Sequence, residues 1–60
     1  MKIETNIPGH ENIVVEAEYN SEEHAIMDGY SYLGKSKENK DIYYHITKDG
    51  FTYALITGWE

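Results

Sequence analysis

The sequence predicts a mostly β domain, with an antiparallel sheet of about five strands that is curled or barrel-like and one short helix near residues 21–28. Three observations predict it. Apolar and polar residues alternate over several short segments, and glycine or proline stands between those segments. The chain has 60 residues, so we treat 1–60 as a single small domain, whose limited core a curled sheet can enclose.

The first two predicted strands span residues 1–7 and 12–19 and are joined by a turn at Pro8-Gly9. Both segments alternate with the two-residue period of a half-buried strand. Proline presets the first central angle of a type II turn, and glycine supplies the positive angle that follows it. The two segments are therefore expected to pair side by side.

The register of this pair is expected to place Ile7 opposite Ile13, because both apolar sets then share one face. Glu4 would then lie opposite Glu16, a like-charge pair that is tolerated in water or kept for a function. The residues of the second strand that face inward in this arrangement are Ile13, Val15, Ala17 and Tyr19.

Residues 21–28 are predicted to form the short helix. Asn20-Ser21 supplies a capping side chain, two glutamates follow in the first turn, and a glycine can end the helix. A competing interpretation makes residues 24–27 a strand that turns at the following Asp-Gly pair, because Asp-Gly between apolar residues favours a hairpin. We favour the helix, which at this length must pack on the sheet to be stable.

Three further strands are predicted over residues 30–35, 41–48 and 51–57, with a two-residue turn at Asp49-Gly50. This turn pairs Lys48 with the first residue of the last strand and so decides which side chains share a face. One face then carries Ile42, Tyr44, Ile46, Phe51, Tyr53 and Leu55, and the opposite face carries Tyr43, His45, Thr47, Thr52, Ala54 and Ile56. A three-residue loop would divide these apolar residues between the two faces of the hairpin, so the two-residue turn gives the better core.

The composition limits the partners that the chain can bind. It has eleven acidic residues against five lysines, no arginine and a formal net charge of −6, which disfavours direct binding to nucleic acid or to anionic membranes. All of the excess negative charge lies before Lys35. A protein partner with a basic surface is therefore the one that electrostatics favours.

The composition also limits the chemistry of the chain. It contains no cysteine, which removes disulfides, zinc thiolate sites and cysteine nucleophiles. No segment has the length and hydropathy of a signal peptide or a spanning helix, so we expect a cytoplasmic protein. The serines lack a nucleophile-elbow context, and no acid lies in the apolar stretch that a catalytic carboxyl needs. We therefore predict that the chain is not an enzyme and uses no cofactor.

The leading hypothesis is a non-catalytic protein-binding module, a small acidic inhibitor or modulator of a basic or nucleic-acid-binding partner, in the manner of acidic proteins that mimic DNA. Its acidic contact residues would be Glu4, Glu16, Glu18, Glu22 and Glu23. Its apolar anchor would be Tyr43, His45, Ile56 and Trp59, expected on the outer face of the C-terminal hairpin or just beyond it. In the competing interpretation, that face is covered by the helix or by a second copy of the protein.

Two other functions stay open. The chain could be a structural homo-oligomer that associates with itself through the C-terminal hairpin, which would bury the same aromatic residues. It could also bind a metal if His10, His24 and His45 converge with carboxylates, although these histidines lie on separate predicted elements.

Overall fold

The computed structural model describes residues 2–57, which form one five-strand mixed sheet curled into a half-barrel, with one short helix. The elements are β1 (Lys2–Glu4), β2 (Asn12–Tyr19), α1 (Glu22–Met27), β3 (Ser31–Lys35), β4 (Asp41–Thr47) and β5 (Gly50–Ile56). The strands lie in the order β1-β2-β5-β4-β3. The predicted fold class, mostly β with a curled five-strand sheet and one short helix, is confirmed.

One pairing in the sheet is parallel. β2 runs parallel to β5, whereas the β1–β2, β3–β4 and β4–β5 pairs are antiparallel. The helix causes this difference from an all-antiparallel sheet, because α1 carries the chain back along the sheet, so that β3 starts in the same direction as β2. The antiparallel succession of β3, β4 and β5 then brings β5 beside β2 in that same direction.

β1 is shorter than predicted and pairs in a different register. Ile3 lies opposite Ile13, in the place that Ile7 was expected to hold. Glu4 lies opposite an asparagine, so the expected like-charge pair with Glu16 does not form. The alternation of the segment extends to residue 7, but the pairing ends earlier, because the chain after β1 turns away to close the barrel.

That closure depends on Thr5, which is buried with 2% of its surface exposed. Its backbone bridges to Ser36, just after β3, and so brings the two edges of the sheet together at one end. Its hydroxyl donates a hydrogen bond of 2.6 Å to the carbonyl oxygen of His10. The predicted proline-glycine turn lies inside this loop, and its glycine has a φ of 85°, the value that a type II turn requires.

A bulge in β2 divides the apolar residues of that strand between two cores. The pairing register with β5 shifts between Val15 and Ala17, so the side chains after the shift lie on the other face of the sheet. The inner core, inside the curl, consists of Ile13, Val15, Ile42 and Leu55, with Ile3, Leu33 and Tyr53 packed against them. The helix-side core consists of Ala25, Tyr43 and Ala54, with Ala17, Tyr19, Tyr30 and Ile56 packed against them. The single inward set predicted for this strand is therefore wrong.

The C-terminal hairpin has the predicted loop length in a different register. Thr47 lies opposite Gly50, which leaves Lys48 and Asp49 as the two-residue turn. The expected pairing of Lys48 with Phe51 is wrong, because the turn lies one residue earlier than predicted. The partner of each residue therefore changes by two positions, and every side chain keeps its predicted face. The Thr47 hydroxyl holds this turn, since it accepts a hydrogen bond of 3.2 Å from the Asp49 amide and donates one of 3.0 Å to the Gly50 carbonyl oxygen.

The short helix α1 is confirmed, and the alternative strand over residues 24–27 is wrong. The Ser21 side chain caps the helix by accepting a hydrogen bond of 3.4 Å from the His24 amide. At the other end, Gly29 has a φ of 97° and the Tyr30 amide donates to the Ala25 carbonyl oxygen at 3.0 Å. These features form a Schellman motif. Ala25 is fully buried, because its small side chain lets the helix lie close on the sheet.

Candidate functional site

The predicted apolar anchor lies on the face of the sheet that α1 covers. Tyr43 has only 3% of its surface exposed and packs with Ala25 and Ala54, and Ile56 is half-buried against the same core. The expectation that Tyr43 is exposed is therefore wrong, and the competing interpretation, in which the helix covers this face, is confirmed. The reason is that the inner core occupies the opposite face, so α1 has only this face on which to bury its apolar side.

His45 lies at the margin of the covered face. Its ring centroid is 5.5 Å from that of Tyr30. Its Nε2 atom would lie 3.2 Å from a Cβ atom placed at Gly29, so the imidazole closes over the end of α1. Trp59 lies outside the described residues. The three described members of the predicted anchor are therefore one core residue and two half-buried residues at the edge of the core.

A buried phenol links this face to the predicted acidic set. Burial raises the pKa of Tyr43 to about 12, and the nearby Glu22 carboxylate acts in the same direction. The negative charge of the carboxylate disfavours loss of the phenol proton. Glu22, in the first turn of α1, therefore belongs to the acidic surface and also lies close to this phenol.

The five acids predicted for partner binding are all exposed, but they do not lie in one group. Glu4 lies on β1, where its carboxylate is 3.6 Å from the Lys37 ammonium. The other four lie between residues 16 and 23, on the second half of β2 and in the first turn of α1. The segment 16–23 therefore carries most of the predicted acidic surface, and Glu4 is separate from it and partly neutralised.

An open groove borders this acidic segment. It is lined by Glu18, Tyr19, Asn20, His24, Met27 and Asp28. The Tyr19 hydroxyl donates a hydrogen bond of 2.7 Å to the Asp28 carboxylate, which raises the pKa of Tyr19 to about 12. This bond ties the end of β2 to the end of α1, and it adds Asp28 to the negative charge on this side of the molecule.

The far end of the β4–β5 hairpin carries a mostly aromatic surface of exposed and half-buried side chains, which we call the tip patch. It consists of His10, Tyr44, Ile46, Phe51 and Tyr53. Ile46 has 63% and Phe51 has 50% of its surface exposed. They are exposed because the neighbouring strands stop short. β3 pairs with β4 only as far as Tyr44, and β2 pairs with β5 only from Tyr53 onward.

Phe51 is at the centre of the tip patch. Its ring centroid lies 5.1 Å from that of His10 and 5.7 Å from that of Tyr44, both edge-on, and 6.1 Å from that of Tyr53, stacked. His10 Nδ1 lies 2.8 Å from the Tyr53 hydroxyl oxygen, and burial raises the pKa of Tyr53. Because each ring is held by others, the tip patch is an ordered apolar platform.

The alternation in the sequence predicted the correct face for four members of the tip patch but placed them in the core. Alternation identifies the face of a strand, whereas exposure depends on how far the neighbouring strands extend. The lengths of the predicted strands contained a signal, since segments 41–48 and 51–57 are longer than segment 30–35 and must project beyond it. His10 reaches the tip patch from the turn before β2, which no local pattern indicates.

The three histidines do not converge. His10 belongs to the tip patch, His24 lies in α1 and His45 packs on Tyr30. Within residues 2–57, no three side chains of His, Asp or Glu come together in a way that could hold a metal ion. In the same range, no helix has the length and apolar character needed to cross a membrane.

Comparisons of this chain with protein-family models, with curated protein sequences and with solved structures find no match.

Proposed function

We propose that this chain is a non-catalytic protein-binding module, and that the tip patch is the apolar anchor of its contact with a partner protein. The exposed platform around Phe51 is the observation that carries the proposal. Aromatic residues are enriched in the cores of protein interfaces, where a few of them supply most of the binding energy. The platform is already ordered, so little side-chain freedom is lost when a partner covers it.

The charge of the chain supports a partner with a basic surface. The net charge is −6, and the acidic segment 16–23 lies on β2 and α1, outside the tip patch. Charges that face a partner across an interface act mainly on the rate of association and on the choice of partner. A small acidic module of this kind acts as an inhibitor or modulator by occupying a surface on its partner. The lack of cysteine suits a cytoplasmic location.

The size of the tip patch favours a different protein over a second copy of this chain. Its exposed side chains present roughly 300 Å², whereas each side of a standard protein interface contributes about 800 Å². Two tip patches alone would therefore make a weak dimer, and two chains of the same net charge repel each other. A basic partner can cover the tip patch and also contact the acidic surface.

The test is to compare two aromatic variants in binding experiments. Phe51 and Tyr32 have equal exposed fractions of 50%, but Tyr32 lies on β3, against Tyr43 on the helix side. A partner captured from cell extract by the unmodified chain is identified and purified, and its Kd is measured for Phe51→Ala and Tyr32→Ala. We expect Phe51→Ala to weaken binding by about 2 kcal/mol, or roughly thirtyfold, and Tyr32→Ala to leave it nearly unchanged.

Two outcomes would contradict the proposal. Equal losses in the two variants would show that the tip patch has no special role in the contact. Binding that does not weaken at high salt would remove the basic surface from the description of the partner. Circular dichroism of both variants serves as the control that the fold is intact.

A further inference from the structure

We propose that the outer edge of β2 over residues 16–19 accepts an extended basic segment of the partner as an added strand. This inference rests on the proposed function in one respect, which is that the partner is a basic protein. It concerns a different surface from the tip patch, and it names the mode of recognition as β-strand addition.

The open edge exists because β2 changes its neighbour halfway along. β1 pairs with residues 12–14 of β2, and β5 pairs on the opposite side with residues 15–19. Within residues 2–57, no strand pairs with the segment 16–19 on the side that β1 occupies earlier. Backbone groups at such an edge form hydrogen bonds with water or with another chain.

The direction of the backbone groups can be assigned from one hydrogen bond. The Thr57 amide donates to the Tyr19 carbonyl oxygen at 2.9 Å, so this oxygen points toward β5. Successive residues of a strand direct their backbone groups to opposite sides. The N–H and C=O of Glu18 therefore point to the open edge, where they can bond an added strand.

The side chains along this edge determine what kind of strand fits. Glu16 and Glu18 are both exposed, and opposite charges across paired strands stabilise the pairing while like charges weaken it. A segment with Lys or Arg opposite these two positions is therefore favoured. A second copy of β2 is disfavoured, because it would bring these glutamates against identical glutamates. The charge that prevents self-association at this edge is thus the charge that selects a basic strand.

The test uses synthetic peptides and the full chain. One peptide alternates lysine with threonine, and a control peptide has the same sequence with N-methyl groups on every backbone amide, which keeps the charge but blocks strand pairing through either edge. Binding is measured by fluorescence anisotropy, and the contact is located by NMR amide shifts. We expect the first peptide to shift the amides of residues 16–19 and the methylated peptide to bind about tenfold more weakly.

Two variants at one position separate the backbone from the charge. Glu18→Pro removes the outward N–H at an edge position, where proline is tolerated, and we expect about tenfold weaker binding at low and high salt. Glu18→Gln removes only the charge. We expect it to weaken binding of the lysine peptide at low salt and to have no effect on binding at high salt. If Glu18→Pro does not fold, the methylated peptide still tests the proposal on the unmodified chain.

The proposal is overturned if the two peptides bind equally well, if neither binds, or if the shifted amides lie outside residues 16–19. None of these outcomes affects the tip patch, because Phe51→Ala tests that surface with the whole partner. We expect Phe51→Ala to bind the lysine peptide with unchanged affinity.

Discussion

Ile42 and Ile46 lie on the same face of β4 and differ in exposure, with 0% and 63% of their surface exposed. Replacing each with alanine removes the same atoms from two environments. Ile42→Ala removes buried atoms and leaves a cavity in the inner core, which costs about 2–5 kcal/mol of the free energy of unfolding. Ile46 gains only part of the transfer energy of a buried side chain, so Ile46→Ala should cost less than about 1 kcal/mol.

Urea unfolding followed by circular dichroism measures both losses. A domain of this length has a free energy of unfolding of about 3–9 kcal/mol, so Ile42→Ala brings it close to the limit of stability. In thermal unfolding, about 4–8 °C of Tm is lost per kcal/mol in a small domain. We therefore expect Ile42→Ala to lower Tm by at least about 10 °C, and Ile46→Ala to lower it by a few degrees.

Equal losses at the two positions would refute the reasoning, because they would mean that the end of the hairpin is covered. If the loss at Ile46 also increased with protein concentration, a second copy of the chain would be the cover. In that case the homo-oligomer would replace the partner-binding module as the better description. A small loss at Ile42 would instead show that the inner core is not centred on that residue.

Two further predictions concern the end of α1 and the buried phenol. Gly29→Ala forces a non-glycine residue to a φ of 97°, at a cost of about 1–2 kcal/mol, and places a Cβ atom 3.2 Å from His45 Nε2. Gly9→Ala also has a positive φ, of 85°, but its added Cβ atom would have no other atom within 4 Å. In urea unfolding it should therefore lower the free energy of unfolding by less than Gly29→Ala does. An equal or greater loss would contradict the role of His45. The pKa of Tyr43 is about 12 in the folded chain against 10.0 for the free side chain, so the unfolded state loses its proton first as pH rises. The contribution of Tyr43 to stability should be constant below pH of about 10 and be lost between about 10 and 12. Urea unfolding at several pH values measures this loss. If the free energy of unfolding of Tyr43→Phe declines as much as that of the unmodified chain, the prediction is wrong.

Sequence periodicity predicted the strands and most of their faces. The C-terminal hairpin shows why this works, since Thr47 and Gly50 pair in a register that was not expected, and yet no side chain changes face. When the turn of a hairpin moves by one residue, the partner of each residue changes by two positions, and the alternation of faces is preserved. The ends of α1 were also predictable, because Ser21 and Gly29 act through local geometry.

The features that the sequence did not predict all depend on contacts between distant segments. The bulge in β2 cannot be recognised from alternation, because Ala17 and Tyr19 continue the pattern of Ile13 and Val15 while facing a different core. The cover over Tyr43 depends on where α1 lies. The exposure of Phe51 depends on where β2 and β3 stop pairing. Local sequence patterns do not show where distant segments meet, so the anchor was predicted on the covered face.

The parallel pairing of β2 with β5 also bears on the order in which the chain can assemble. The β3–β4 and β4–β5 pairs join neighbouring segments, whereas the β2–β5 pair encloses α1, β3 and β4 in one long loop. Closing a long loop costs chain entropy before any contact compensates for it. The inner core takes side chains from all five strands, so it is complete only when that loop is closed. The first half of the described chain therefore has no core of its own, and the fold depends on the pairing of β2 with β5.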